Sequence, residues 1–94
     1  MNQVVIIGRL NNIEMVDDLV FMNLTYSRTL DYGHENEQPI VDIIPIITSI
    51  KNDYLNNLKQ GDLVGVKGKI EIYNDKLVIR GEKLTFLSSN NEVN

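Results

Sequence analysis

Hydrophobic and polar positions along this chain follow a two-residue period almost throughout, broken by one stretch with a helical period. Residues 3–10 are an apolar, β-branched run closed by Gly8-Arg9-Leu10 and predict a strand. Asn11, Asn12 and the Asp17-Asp18 pair punctuate the next stretch. Residues 19–27 then alternate, with Val20, Met22, Leu24 and Tyr26 on the face expected to be buried and Asn23 and Thr25 opposite. Residues 31–39 are polar and turn-rich and predict a loop. Residues 40–48 predict a third strand, in which Pro45 cannot donate to a ladder and so marks an edge or a bulge. Between 49 and 60 the period changes: Ile50, Tyr54, Leu55 and Leu58 recur at helical spacing, with Ser49 as N-cap and Gly61 as the stop. Residues 63–73 predict a long strand with Val64, Val66, Ile70 and Ile72 facing the core and Lys67, Lys69, Glu71 and Tyr73 facing out. Gly65 and Gly68 inside it predict bends. Asn74-Asp75 suits a two-residue type I′ turn into a return strand over 76–87.

The order β-β-β-α-β-β describes an all-β protein with one helix, a five-stranded OB-fold barrel. It is expected to occupy residues 1–88, with a short polar tail over 89–94. The apolar content is rich in β-branched residues and lacks alanine altogether, which favours strands. Zero cysteines exclude a disulfide framework, a thiolate zinc site and a cysteine nucleophile, and one histidine argues against a histidine-rich metal site or a triad. Asp17-Asp18 and Glu35/Glu37 lie at turns, where carboxylates are solvated rather than tuned for acid–base work, and His34 sits in the same acidic loop. No enzyme activity, cofactor or metal is therefore expected. Apolar runs of about four residues fall far short of the roughly 20 that span a bilayer. The first residues carry no basic stretch ahead of their apolar run, so a cytoplasmic protein is expected.

The net charge of −4 is unevenly spread. Residues 11–42 hold seven acids against Arg28, whereas residues 59–83 hold six bases and four acids. A basic second half has meaning only if the fold gathers those bases on one surface.

Several segments carry a family resemblance. Met-Asn-Gln-Val-Val-Ile-Ile-Gly-Arg-Leu at 1–10 resembles the opening of bacterial single-stranded DNA-binding proteins. Asn23-Leu24-Thr25 resembles their second strand, Asp42-Ile43-Ile44-Pro45 their third, and Glu82-Lys83-Leu84-Thr85-Phe86-Leu87 their last. The most specific segment is Leu-Lys-Gln-Gly-Asp-Leu-Val-Gly-Val-Lys-Gly-Lys-Ile at 58–70. Departures accompany it. Ile43 and Ser49 stand where that family has large aromatics, the last hairpin is cut to Asn74-Asp75, and the long tail with an acidic tip is missing. The resemblance is to a minimal member of the family.

It implies non-sequence-specific single-stranded DNA binding in replication, recombination or repair. Bases would stack on Tyr32 and Tyr73, with Ile43 offering apolar contact. Phosphates would meet Arg9, Arg28, Lys51, Lys59, Lys67, Lys69, Lys76 and Arg80, of which Arg28, Lys51 and Lys59 rest on position in the resemblance rather than on strand parity. The alternative is an adaptor of the primosome or replisome, similar to the small dimeric primosomal replication proteins of the B type, whose partners are replication proteins. Four consecutive apolar residues, Val4-Val5-Ile6-Ile7, leave both faces of the first strand apolar. A homodimer, or a homotetramer built from it, is expected through that strand, from Gln3 to Gly8.

Overall fold

A computed structural model of the chain describes residues 1–28, 40–49 and 53–89. Five strands, β1 (Val4–Val16), β2 (Leu19–Arg28), β3 (Ile40–Thr48), β4 (Leu63–Tyr73) and β5 (Lys76–Ser88), close into a barrel in the order β1-β2-β3-β5-β4. Four of the pairings are antiparallel, and β3 meets β5 in parallel over Ile46↔Ile79 and Ile47↔Arg80. This is the OB-fold that the alternation predicts.

Closure depends on β1 serving two ladders. Val4–Arg9 pairs with β4 down to Arg9↔Leu63, and from Arg9↔Thr25 onward the strand pairs with β2. The change of partner falls at Arg9, which belongs to both ladders, and a bulge between Leu10 and Asn12 follows within the β2 ladder. The first strand thus runs well beyond the residues 3–10 expected, because Asn11 and Asn12 are absorbed in the bulge and the turn falls at Asp17-Asp18. Asp17 there takes φ 55. The last hairpin turns as expected, Asn74 and Asp75 adopting φ 51 and 66 for the type I′ geometry.

Leu10, Val20, Met22, Leu24, Ile46, Val64, Val66, Ile79 and Leu84 point inward from all five strands, and Leu55 joins them from a 3₁₀ turn over Asp53–Asn57. Each such side chain contributes about 1.5–3 kcal/mol of transfer free energy. The 3₁₀ turn replaces the longer helix expected over 49–60. Asn56 and Asn57 are of a residue type that favours local backbone bonding in non-helical conformations, which disfavours helix. The segment then ends in a turn in which the Lys59 amide donates to the buried Asp62 carboxylate at 2.8 Å, while the Leu10 amide donates to the Asp62 carbonyl at 2.8 Å and the Leu10 carbonyl accepts from the Gly61 amide at 2.7 Å. Gly61 takes φ 94, as a stop requires. Pro45 lies just before the β3–β5 ladder begins, so its missing N–H breaks no bridge to β5.

Three expectations about facing are corrected. Ile70 and Ile72 are 46% and 66% exposed rather than core. The β4–β5 hairpin runs past Val4↔Gly68, the end of the β1 ladder, so among the described residues no strand covers its inner side there. Tyr26 is exposed because the β1–β2 pairing has already ended at Thr25. Finally, only one of the two β4 glycines is demanded by sterics. A Cβ at Gly68 would strike the backbone carbonyl of Arg80, whereas one at Gly65 would meet nothing closer than 3.6 Å. The local irregularity places an extra residue, Glu82, in β5 rather than in β4. The Tyr54 side chain lies outside the described residues.

Candidate nucleic-acid interface

Strand register lays the outward-facing side chains out in rows. Arg9, Thr25 and Ile43 form one, Asn12, Asn23 and Pro45 the next, and Glu14, Phe21, Ile47, Arg80 and Lys69 a third that crosses all five strands, with Ile47 itself covered and buried. Over the second and third rows the β4–β5 hairpin curls back, bringing the Tyr73 ring to 5.9 Å from that of Phe21 at an interplanar angle of 60°. The result is a groove of about 280 Å³ on the outer face of β2 and β3. Asn23, Pro45 and Ile47 line its floor, Asn12 and Glu14 stand on one side, and Tyr73, Asn74 and Lys76 on the other.

Its chemistry is that of a flat ring with polar edges. Phe21 and Tyr73, both half-buried, offer π surface held by mutual contact. Asn23 donates to the Asn12 amide oxygen at 2.9 Å, which fixes both amides and leaves the Asn23 oxygen and the Asn12 nitrogen for a ligand's edge. Arg80 pairs with Glu71 at 3.1 Å, and Lys69 with Glu82 at 3.5 Å. Such solvent-exposed pairs contribute little, about 0–1 kcal/mol, so a phosphate can displace either acid at small cost. Lys76, exposed at the groove's rim, forms no ion pair among the described residues.

The fold brings together Tyr73, Lys76, Arg80 and Lys69 of the expected site residues. It sets others apart. Ile43 is exposed at the start of β3, two rows from Phe21. The Arg9 guanidinium donates to the Gly61 carbonyl at 3.2 Å, towards the turn that bears Lys59. Lys67 faces out farther down β4, directly opposite Lys83. Arg28 ends β2, its side chain outside the described residues, as are Tyr32 and Lys51 entirely. Phe21 is the residue that sequence reasoning missed. Its signal was present: an aromatic on the odd, mostly polar parity of the second strand, beside Asn23 and Thr25.

A closed five-stranded barrel of this order, with a groove across β2 and β3, defines an OB-fold domain. No protein-family model and no curated protein sequence matches the chain. Among solved structures the same fold occurs in the PriB protein from Ralstonia solanacearum, at a TM-score of 0.70 and 15% identity, covering 92% of this chain and 97% of that one. It occurs also in the single-stranded DNA-binding protein of Plasmodium falciparum in complex with single-stranded DNA, at a TM-score of 0.70, 19% identity and coverage of 94% and 96%. A small single-stranded DNA-binding protein from Mycoplasma pneumoniae aligns at a TM-score of 0.69 and 15% identity, over 99% of both chains.

Proposed function

We propose that this chain is a non-catalytic, single-stranded DNA-binding protein of the bacterial single-stranded DNA-binding type, acting in the cytoplasm in replication, recombination or repair. One observation carries the proposal: an aromatic pair, Phe21 and Tyr73, borders an open groove on the β2–β3 face, next to Lys76, Arg80 and Lys69. Stacking on rings accepts any base, and phosphate contacts carry no sequence code, so binding is sequence-tolerant. The names borne by the solved structures of the same fold support this reading.

The proposed active form is a two-fold pair. From Val4 to Gly8, β1 has β4 on one edge, while its ladder to β2 begins only at Arg9, so the other edge has no partner strand among the described residues. Val5 and Ile7 on its outer face are 69% and 50% exposed. Pairing of this edge with its copy would satisfy the free backbone groups and place two grooves on one particle, raising avidity for a long strand.

A second role, as an adaptor for replication proteins, is favoured by a separate feature. Val4, Ile43, Ile44, Ile70, Leu77 and Ile79 line an apolar recess of about 230 Å³ where β3 and β5 diverge. Fluorescence titration with oligo-dT at low salt separates the two. Tight binding to oligo-dT, weaker binding to duplex and a steep salt dependence are expected. Phe21→Ala and Tyr73→Ala should each weaken binding by about 1–3 kcal/mol without altering the salt slope. Absence of binding, or equal binding to duplex, sinks the DNA role and leaves the adaptor.

A further inference from the structure

We infer a second nucleic-acid subsite, outside the groove, on the outer face of β1, β4 and β5, where Lys67 and Lys83 hold the phosphates of a strand leaving the groove. The inference rests on the groove binding single-stranded DNA and extends its path.

Lys67 and Lys83 are directly opposed across the β4–β5 ladder, and both are exposed. Like charges in opposed positions destabilise a sheet. Nearby cations are each given an acid, Lys69 by Glu82 and Arg80 by Glu71. Lys67 and Lys83 have none among the described residues. Glu82 is next to Lys83 in the chain, yet the bulge in β5 directs it to Lys69. Two uncompensated ammonium groups about 5 Å apart at Cβ fit an external anion.

Beside them lies a shallow depression of about 280 Å³, lined by Val5, Ile7, Gly65 and Leu87 with the two lysines at its rim. It is open because Gly65 has no side chain. A Cβ there would sit 3.6 Å from Leu87, 3.8 Å from Ile7 and 3.9 Å from Thr85, ordinary contacts, so the backbone does not require glycine. An apolar floor with a cationic rim suits bases and phosphates of one polymer.

The depression lies farther along the same β4–β5 ribbon that borders the groove. Tyr73, Glu71, Lys69 and Lys67 follow one another on the outward parity of β4, with Lys76, Val78, Arg80 and Lys83 across from them. Six residues separate Tyr73 from Lys67, about 20 Å along the strand. Stacking this face on a second copy would instead bring four lysines together with only the Glu82 of each copy, already paired with Lys69, to offset them, a costly desolvation of like charges. Charge complementarity therefore selects the polyanion as occupant.

The test is anisotropy titration of labelled oligo-dT of about 5 and about 16 nucleotides, within and at the end of the range known for one OB-fold. The variants are Lys67→Gln/Lys83→Gln and, as a groove reference, Phe21→Ala/Tyr73→Ala. The lysine variant is expected to bind the longer oligonucleotide about tenfold more weakly at low salt. Its log–log salt slope should fall by about 1.4, two contacts at roughly 0.7 each. Binding of the short oligonucleotide should stay within about twofold, and the thermal midpoint should hold or rise as the repulsion is removed. Unchanged affinity and slope on the longer oligonucleotide, with the aromatic variant still impaired, would overturn the subsite and leave the groove intact. Equal losses on both lengths would mean a general field effect and also overturn it. So would unchanged DNA affinity accompanied by a shift in sedimenting mass, which would mark the face as a contact between copies. Failure of the wild-type protein to bind either length refutes the groove, and the subsite with it.

Discussion

At Gly68 a Cβ would be driven into the Arg80 carbonyl oxygen and lie 2.8 Å from its carbon, backbone atoms of a paired strand that cannot rotate aside. Gly68→Ala should therefore lower stability by at least about 1–3 kcal/mol, seen as a fall in the urea midpoint. Gly65→Ala, with only ordinary contacts, should stay within about 0.5 kcal/mol of wild type. Equal effects at the two sites would contradict the close approach of β4 and β5. The sequence marks both glycines alike, since what distinguishes them is the bulge at Glu82 on another strand. Phe21 is the converse case. Its place in the chain was enough to flag it, as an aromatic on a polar parity, but its meaning depends on Tyr73 arriving from 52 residues away.

Among the elements, those whose limits are set by local chemistry were legible. The residues 40–48 and 63–73 predicted as strands are the β3 and β4 of the structure, and Asn74-Asp75 makes the expected turn. Those set by a partner strand were not. Nothing local tells that β1 continues through Asn11 and Asn12, because the bulge there is accommodated by the ladder to β2, which the strand joins at Arg9. Ile70 and Ile72 keep the apolar parity of β4 while leaving the core, since alternation marks which face a residue takes but not where cover stops. Asn2 illustrates a tie that no pattern contains: its side-chain amide exchanges two 2.9 Å bonds with the backbone of Ile70 and anchors the start of β1. That anchored, half-paired strand is the element on which the proposed assembly depends. Sedimentation at micromolar concentration should give about twice the 10.7 kDa chain mass. A clean 10.7 kDa species would rule out pairing through β1.

Over the whole molecule, a net charge of −4 coexists with a mildly basic ribbon because the charges are unevenly spread. Glu14, Asp17 and Asp18 cluster at the end of the β1–β2 hairpin, whereas Lys67, Lys69, Lys76, Arg80 and Lys83 belong to the β4–β5 ribbon, where they outnumber Glu71, Asp75 and Glu82. The aggregate charge of a domain says little about partners when the barrel spreads its charges in this way. Of the candidate site, the basic members on the last hairpin were readable from parity, while the groove itself arises only when that hairpin folds across β2 and β3. The most direct measurement of this account is a titration of isotope-labelled protein with a short oligo-dT, followed amide by amide in ¹H–¹⁵N spectra. Shifts are expected to concentrate at Phe21, Asn23, Ile47 and the 73–76 turn, with Ile70, Ile72 and Leu77 at the apolar recess little changed. Shifts confined to the apolar recess, or none at saturating oligonucleotide, would contradict a nucleic-acid groove on the β2–β3 face.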